Sequence, residues 1–337
     1  RAGKGDQVCA HDGGDRSALR STQRVTSLRE RIKGALSPSL RIDTGIDLEY
    51  RLAEYSLSAA ITDSIPQNAN IDLPVSELGA KVEGYQLGVY AETAWDVVPA
   101  LRLISGLRFD AYLMAGEPRA TLDPRLVVRW QVQKPTAFKS YVGLFHKSPE
   151  PEAFDNRFGN PRLGVERALQ TGLGVEHSLA RDISVEAEVY YASRQNQASF
   201  TQEVESRADG TVQPLFWKNQ AHGDTVGLDL LLRHEITKNF YGWLSYTLSR
   251  STLSRSPDEP TTPTFFDQTH NLTLVASYRT DGGWEFGARF RLVTGRPETP
   301  VLGGTFDADD DVYMPYTGER LSARRPLFSE LDVRAEK

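Results

Sequence analysis

The chain has 337 residues and is moderately polar, with 39% hydrophobic residues, 25% charged residues and a formal net charge of −6. An acidic chain without a basic stripe has little to neutralise phosphates, which argues against a nucleic-acid partner. No run of about 18 apolar residues occurs, which excludes membrane-spanning helices but not a membrane β-barrel, whose strands turn only every second residue towards lipid.

The first 21 residues contain several Gly and Asp residues and show no apolar alternation, so we predict a flexible loop over residues 1–21. They include Cys9, the single cysteine of the chain, which can form no intramolecular disulfide. They also lack the apolar stretch of a secretion signal.

From residue 24 onward, apolar and polar residues alternate with a period of two, which predicts β-strands. In the segment 41–50, for example, Ile42 and Ile46 fall on one face of an extended chain, and Asp43 and Asp47 fall on the other. The alternating segments run for about nine to thirteen residues, the length that a tilted strand needs to cross a bilayer, whereas soluble strands average about five or six. Thirteen strands are predicted, near residues 24–36, 39–51, 82–95, 101–113, 121–133, 137–146, 167–179, 183–195, 223–236, 240–250, 268–280, 284–294 and 328–336.

The apolar faces of these strands have the properties of a lipid-facing surface. Six of them, in the segments 41–50, 85–95, 101–110, 183–191, 226–236 and 284–292, contain no Asp, Glu, Lys or Arg. A Lys or Arg in the middle of the lipid face would destabilise a barrel by about 2–4 kcal/mol. Aromatic residues typical of interfacial girdles lie near the ends of the apolar series: Tyr50, Tyr85, Trp95, Phe109, Tyr191, Tyr278 and Trp284.

The connections between strands alternate between short and long. Short ones lie at 36–39, 96–100, 134–136, 180–182, 237–239 and 280–283; long polar ones lie at 53–80, 147–166, 196–222, 251–267 and 294–327, and one near 115–120 is shorter. A soluble β-sandwich also alternates, but it has no reason to collect its long loops at one end. An outer-membrane barrel does, with short periplasmic turns and long extracellular loops. The pattern therefore favours an all-β, antiparallel transmembrane β-barrel.

Several short motifs, in this order and spacing, resemble those of TonB-dependent outer-membrane receptors. The stretch 160–168 (NPRLGVERA) resembles the family's NPxLxPE motif, with Val165 in place of its Pro. The stretch 106–110 (GLRFD) resembles a GxRxD strand, and 267–271 (DQTHN) resembles a DxxH approach to a late strand. The segments 294–297 and 320–333 resemble the last long loop and the strand after it.

The resemblance implies a partial barrel. Receptors of this family close a barrel of 22 strands around a plug, so about 13 of 22 strands are present here, corresponding to strands 8 to 20. Residues 1–21 are then an extracellular loop segment, residues 22–337 belong to the barrel domain, and the plug and remaining strands are expected elsewhere.

No catalytic constellation emerges, and we expect no enzyme activity. The six His residues are scattered, and neither metalloprotease nor nucleophile-elbow motifs occur. The acidic run Asp307, Asp309, Asp310 and Asp311 has the hard oxygens that Ca²⁺ prefers, although a solvated acidic loop is the simpler interpretation. No other cofactor is expected.

Two further sets of residues are candidates for ligand recognition. Arginines on the polar faces face the lumen and are able to guide an anionic ligand or to pair with neighbouring carboxylates: Arg102, Arg108, Arg289 and Arg291. Aromatic residues in the long loops offer ligand-binding surface or pack the loops: Phe154, Phe158, Trp217, Phe265, Phe266, Tyr313 and Tyr316.

The resemblance implies energised uptake of a siderophore, cofactor, glycan or peptide through the outer membrane of a Gram-negative bacterium. The implied partners are the ligand, a TonB-type energy-transducing protein acting on the plug, and outer-membrane lipid or lipopolysaccharide. A barrel that serves as a surface scaffold or as an adhesion or assembly subunit, without transport, remains the alternative, followed by a soluble carbohydrate-binding sandwich.

Overall fold

The computed structural model describes residues 3–10, 18–58, 78–155, 159–201, 203–206, 212–308 and 311–337. Within these ranges the regular structure is β-strand, apart from one 3-10 helix at Pro151–Phe154. No helix of the described residues has the length and apolar character to cross a membrane. The strands are β1 Gly3–Ala10, β2 Ala18–Ser37, β3 Leu40–Ser58, β4 Leu78–Val98, β5 Leu101–Met114, β6 Glu117–Gln133, β7 Thr136–Lys147, β8 Glu166–Ala180, β9 Ile183–Phe200, β10 Val204–Ser206, β11 Val212–Pro214, β12 Trp217–His234, β13 Phe240–Leu253, β14 Thr262–Pro263, β15 His270–Arg279, β16 Glu285–Val293, β17 Pro297–Glu298, β18 Val301–Asp307, β19 Val312–Thr317, β20 Ala323–Arg324 and β21 Phe328–Glu336.

The long strands form one antiparallel sheet in which each strand pairs with its neighbour in the chain. Its order is β1-β2-β3-β4-β5-β6-β7-β8-β9-β12-β13-β15-β16-β21, with β14 attached to β13. All thirteen predicted strands are found, and the antiparallel barrel architecture is confirmed. In the described residues β1 and β21 form the two ends of the sheet and do not pair with each other, as expected for part of a larger barrel.

The structure corrects the prediction of a loop over residues 1–21. Gly3–Ala10 forms β1, which pairs with the first part of β2, from Ala18 to Val25. The pairing satisfies the backbone groups of both segments. Alternation did not reveal β1 because Gly, Lys and Asp dominate its sequence, GKGDQVCA.

One end of the sheet has short turns and the other has long connections, as predicted. The connection between β5 and β6 is the exception at the long-loop end, because it consists only of Ala115 and Gly116. Their φ values are 49° and 83°, and a type I′ hairpin turn requires positive φ at both positions. At this point the long-loop end of the sheet therefore carries only a two-residue turn.

The long connections carry short strand pairs of their own, where loops were predicted. β10 pairs with β11, β17 with β20, and β18 with β19. The last pair is a hairpin over residues 301–317 that belongs to the connection between β16 and β21.

The two faces of the sheet differ as the alternation predicts. The outer face exposes apolar side chains such as Leu173 and Val189, 62% and 52% exposed. The inner face carries charged residues that cover one another, so that Asp110 is only 2% exposed. Inner glycines make room for these side chains: a Cβ on Gly227 would lie 2.3 Å from the Tyr190 ring.

Candidate functional site: the inner wall and the long loops

The most deeply buried charges of the inner wall surround Arg108 on β5. Its guanidinium lies 2.6 Å from a carboxylate oxygen of Asp110 and 2.6 Å from one of Asp47 on β3. Gln86 donates a hydrogen bond of 2.9 Å to Asp110, and Arg29 donates one of 2.5 Å to Asp47. This network of side chains therefore joins four neighbouring strands, β2 to β5.

Replacing Arg108 by alanine leaves the Asp110 carboxylate buried without its cation. We expect a loss of about 2–3 kcal/mol in the free energy of unfolding, less than for a fully dry ion pair because Arg108 is partly exposed. The matched control is Arg102→Ala, whose Asp96 pair is exposed and contributes less. Unfolding of the full-length protein in detergent measures both, and equal losses would contradict the prediction.

All four predicted lumen arginines lie on the inner face. Arg102 is 2.5 Å from Asp96, and Arg289 is 3.7 Å from Asp332. The guanidinium of Arg291 lies 6.0 Å from the centre of the Phe328 ring. Together with Arg108, three of the four are engaged with carboxylates of the wall itself, which favours a structural role; guidance of an anionic ligand stays a prediction.

The described parts of the connection between β7 and β8, residues 148–155 and 159–165, fold inward against the inner wall. Its Phe154 is 0% exposed, and this ring packs in an apolar cluster. We call this the inner cluster; it consists of Val82, Tyr112, Met114, Ala153, Phe154 and Leu163. Of the two predicted roles for Phe154, ligand contact and loop packing, its complete burial favours loop packing.

Arg119 and two asparagines hold this loop in place. The Arg119 guanidinium lies 5.1 Å from the centre of the Phe154 ring and donates a hydrogen bond of 2.6 Å to the carbonyl of Pro161. Asn219 of β12 accepts a bond of 2.6 Å from the Gly164 amide, and Asn160 donates one of 3.0 Å to the Trp217 carbonyl. The NPRLGVE stretch therefore joins the loop to β12 by hydrogen bonds.

The other predicted aromatic residues have different environments. Trp217 is partly buried and packs against the inner cluster. Phe265 and Phe266 are exposed and form an edge-to-face pair with centres 5.1 Å apart, and Arg296 lies 5.4 Å from the centre of the Phe266 ring. Phe158 lies outside the described residues.

Tyr313 and Tyr316 lie on the hairpin β18–β19 and are largely exposed. Tyr313 packs on Phe306 with ring centres 5.1 Å apart, and the Tyr316 hydroxyl shares a hydrogen bond with Thr305. The hairpin therefore presents aromatic surface at the long-loop end. The structure does not bring it together with Phe154, which lies against the inner wall.

An ion pair with a buried carboxylate, which the sequence did not reveal, joins the last two long loops. The side chain of Asp267 is 1% exposed; it pairs with Arg324 and accepts a hydrogen bond of 2.7 Å from the Ser251 amide. Arg324 also donates to the Gly295 carbonyl, at 3.2 Å. The loops 254–269 and 294–327 are thus fixed to each other at their bases.

Partial burial also affects a loop arginine beyond this ion pair. Desolvation, together with the charge of neighbouring Arg255, lowers the pKa of the Arg320 guanidinium. An arginine remains protonated at neutral pH even so. Positive charge is therefore held close to Thr262, to which Arg320 donates a hydrogen bond of 3.5 Å.

The predicted calcium site stays a prediction, because only two of its four residues lie in the described part of the chain. Asp309 and Asp310 lie outside the described residues, and Asp307 and Asp311 flank the tip of the hairpin β18–β19. In the described part of the chain, no group of three or more His, Cys, Asp or Glu residues is arranged to hold a metal ion.

Comparisons with known proteins agree with this architecture. Residues 7–324 match the family model described as TonB dependent receptor-like, beta-barrel, and no curated protein matches. Solved structures with the same fold include the FrpB iron transporter from Neisseria meningitidis (16% identity, TM-score 0.64, 95% of this chain and 48% of that one). Others are the ferripyoverdine receptor of Pseudomonas aeruginosa (11%, 0.66, 99% and 46%) and the ferric yersiniabactin uptake receptor FyuA from Yersinia pestis (13%, 0.59, 95% and 47%).

The chain spans about half the length of these solved structures. At such low identity they share the fold, whereas the family model covers most of the chain. The chain therefore belongs to the family of TonB-dependent receptor-like β-barrels.

Proposed function

We propose that this barrel is part of an outer-membrane receptor that takes up a small ligand with energy supplied through a TonB-type protein. The observation that carries the proposal is the family match over residues 7–324. Because the solved structures with this fold include an iron transporter and receptors for ferripyoverdine and ferric yersiniabactin, ferric chelates are the first ligand class to test.

The long loops are the proposed ligand contact. Phe265, Phe266, Tyr313 and Tyr316 are exposed at that end, and aromatic side chains bury large contact areas at little entropic cost. The ion pair between Asp267 and Arg324 fixes the last two long loops to each other. This favours ligand binding there, since a preorganised surface loses less conformational freedom on binding. The TonB-type protein would act on a plug, and lipid or lipopolysaccharide would surround the barrel.

The test is uptake by cells that produce the full-length receptor but lack other ferric-siderophore receptors. We expect accumulation of at least one iron-55 chelate from a panel that includes ferripyoverdine and ferric yersiniabactin. Accumulation should stop when a protonophore collapses the proton gradient, and Tyr313→Ala/Tyr316→Ala should raise the concentration for half-maximal uptake.

The control is Tyr278→Ala, which removes an outer-face aromatic residue far from the loops and should leave that concentration unchanged. Failure of every chelate, despite normal surface exposure of the receptor, would contradict uptake of this ligand class. Binding without energy-dependent accumulation would instead favour the scaffold function.

A further inference from the structure

Contacts along the long-loop end of the sheet join the loop 148–165 to the other long connections. The segments that take part are residues 148–165, 196–222, 254–269 and 294–327. The hydrogen bonds of Asn160 and Asn219 join the first segment to the second, and the ion pair of Asp267 with Arg324 joins the third to the fourth. The contacts between the second and third segments decide whether the two halves form one body.

Residues 196–222 and 254–269 are joined by three short hydrogen bonds. The backbone amides of His222 and Ser254 each donate one to the carbonyl of the other residue, at 3.0 and 2.8 Å. The Ser199 hydroxyl donates one of 2.6 Å to the carbonyl of Arg255. Ser199 and Ser254 are buried, at 7% and 2% exposed, so separating the segments leaves buried polar groups unpaired.

Asn219 is the central residue of the joint between 148–165 and 196–222. Its side chain accepts a hydrogen bond of 2.6 Å from the Gly164 amide and donates one of 3.2 Å to the Gly164 carbonyl. It also donates one of 2.8 Å to the Asn196 carbonyl. Next to this joint, Glu166 accepts a bond of 3.0 Å from the Ala198 amide. A single asparagine therefore holds three backbone groups of two segments.

Each of the three joints connects residues that are far apart in the chain. Gly164 and Asn219 are 55 positions apart, and Ser199 and Arg255 are 56 positions apart, so neither contact survives when one of its segments detaches. The opening of one segment therefore removes contacts from the next. The long strands below keep their own backbone hydrogen bonds and do not depend on these joints.

We propose that the four segments open and close as one cooperative unit, distinct from the barrel strands, which couples the last two loops to the loop 148–165. Local opening in proteins occurs in contiguous cooperative units. A ligand that favours the closed state at one site favours it at the other by the same free energy. The role of a ligand rests on the proposed function: a ligand bound by Tyr313 and Tyr316 would hold the loop 148–165 against the inner wall.

The first experiment measures hydrogen exchange by mass spectrometry in the purified full-length receptor without ligand. Asn219→Ala should accelerate exchange several-fold in 148–165. It should also accelerate exchange in the described part of 294–327, which contains no hydrogen-bond partner of Asn219. Ser199→Ala, which breaks the middle joint, should likewise accelerate exchange in both segments.

The matched control is Asn239→Ala, which removes a hydrogen bond of 2.9 Å to the Arg279 carbonyl at the short-turn end. It should leave exchange in 148–165 and 294–327 unchanged. If Asn219→Ala and Ser199→Ala leave the exchange of 294–327 unchanged, the segments open independently and the proposal is overturned.

The second experiment distinguishes a cooperative unit from a general loosening of the barrel. Asp267→Ala lets 294–327 open by itself, so the addition of Asn219→Ala should cause no further increase of exchange in that segment. Such non-additivity between distant substitutions shows that they act on one coupled unit. A further increase by the same factor as in the single variant would show a general loosening and overturn the proposal. Neither experiment uses a ligand, so a failure here is distinguishable from a failure of the proposed uptake.

Discussion

Replacing Phe154 by alanine is expected to release the loop 148–165 from the inner wall. The ring is fully buried in the inner cluster and lies under the Arg119 guanidinium, and Phe→Ala changes at such positions cost about 3–5 kcal/mol. The strands are held together by their own backbone hydrogen bonds. We therefore expect the loop to detach at a lower temperature than the one at which the barrel unfolds. Limited proteolysis of the purified receptor during heating measures this difference.

The matched control is Phe266→Ala. Phe266 is 73% exposed and contacts Arg296, so its loss should leave the loop 148–165 protected. If Phe154→Ala weakened ligand uptake while the loop stayed protected from protease, Phe154 would be a ligand residue after all.

Replacing Asp267 by alanine is expected to separate the last two long loops. It leaves Arg324 without its carboxylate and the Ser251 amide without its acceptor. Because the Arg324 side chain is 35% exposed, we expect a cost of about 1–3 kcal/mol, less than for a fully buried ion pair. Backbone amides in the described part of 294–327 should then exchange hydrogen about ten- to a hundredfold faster, with little change in β3 to β9. Hydrogen exchange followed by mass spectrometry measures this directly.

The control for the second prediction is Arg325→Ala, which breaks an exposed pair with Glu298 in the same loop. It should change the exchange little, because exposed pairs contribute little. A second test exchanges the two charges in Asp267→Arg/Arg324→Asp; partial recovery of slow exchange is expected if the pair itself joins the loops. Equal exchange in Asp267→Ala and the unaltered receptor would refute the ion-pair lock.

Alternation revealed the strands because each strand that crosses a membrane obeys the same local rule, which can be read from neighbouring residues. The pairing of Asp267 with Arg324 follows no such local pattern. They are 57 positions apart, and only the folding of two loops brings them together. The sequence left open whether Phe154 faces a ligand or packs the loop for the same reason, since nothing in 151–165 indicates whether the segment stands above the barrel or folds into it.

The NPRLGVE stretch resembles a motif of the family, and the structure shows what it does in this chain. Asn160 and Gly164 provide polar groups that bind β12.

The two-residue turn at Ala115 and Gly116 makes the mouth of the barrel uneven. Beside this turn, the described parts of the loop 148–165 pack against the inner wall. The wall from β5 to β8 therefore carries little structure beyond the ends of its strands. The connections of β13 to β21 instead carry two loops joined by Asp267 and Arg324 and the aromatic hairpin β18–β19. In the proposed uptake, a bulky ligand would therefore meet less loop structure over the turn at Ala115 and Gly116 than over the connections of β13 to β21.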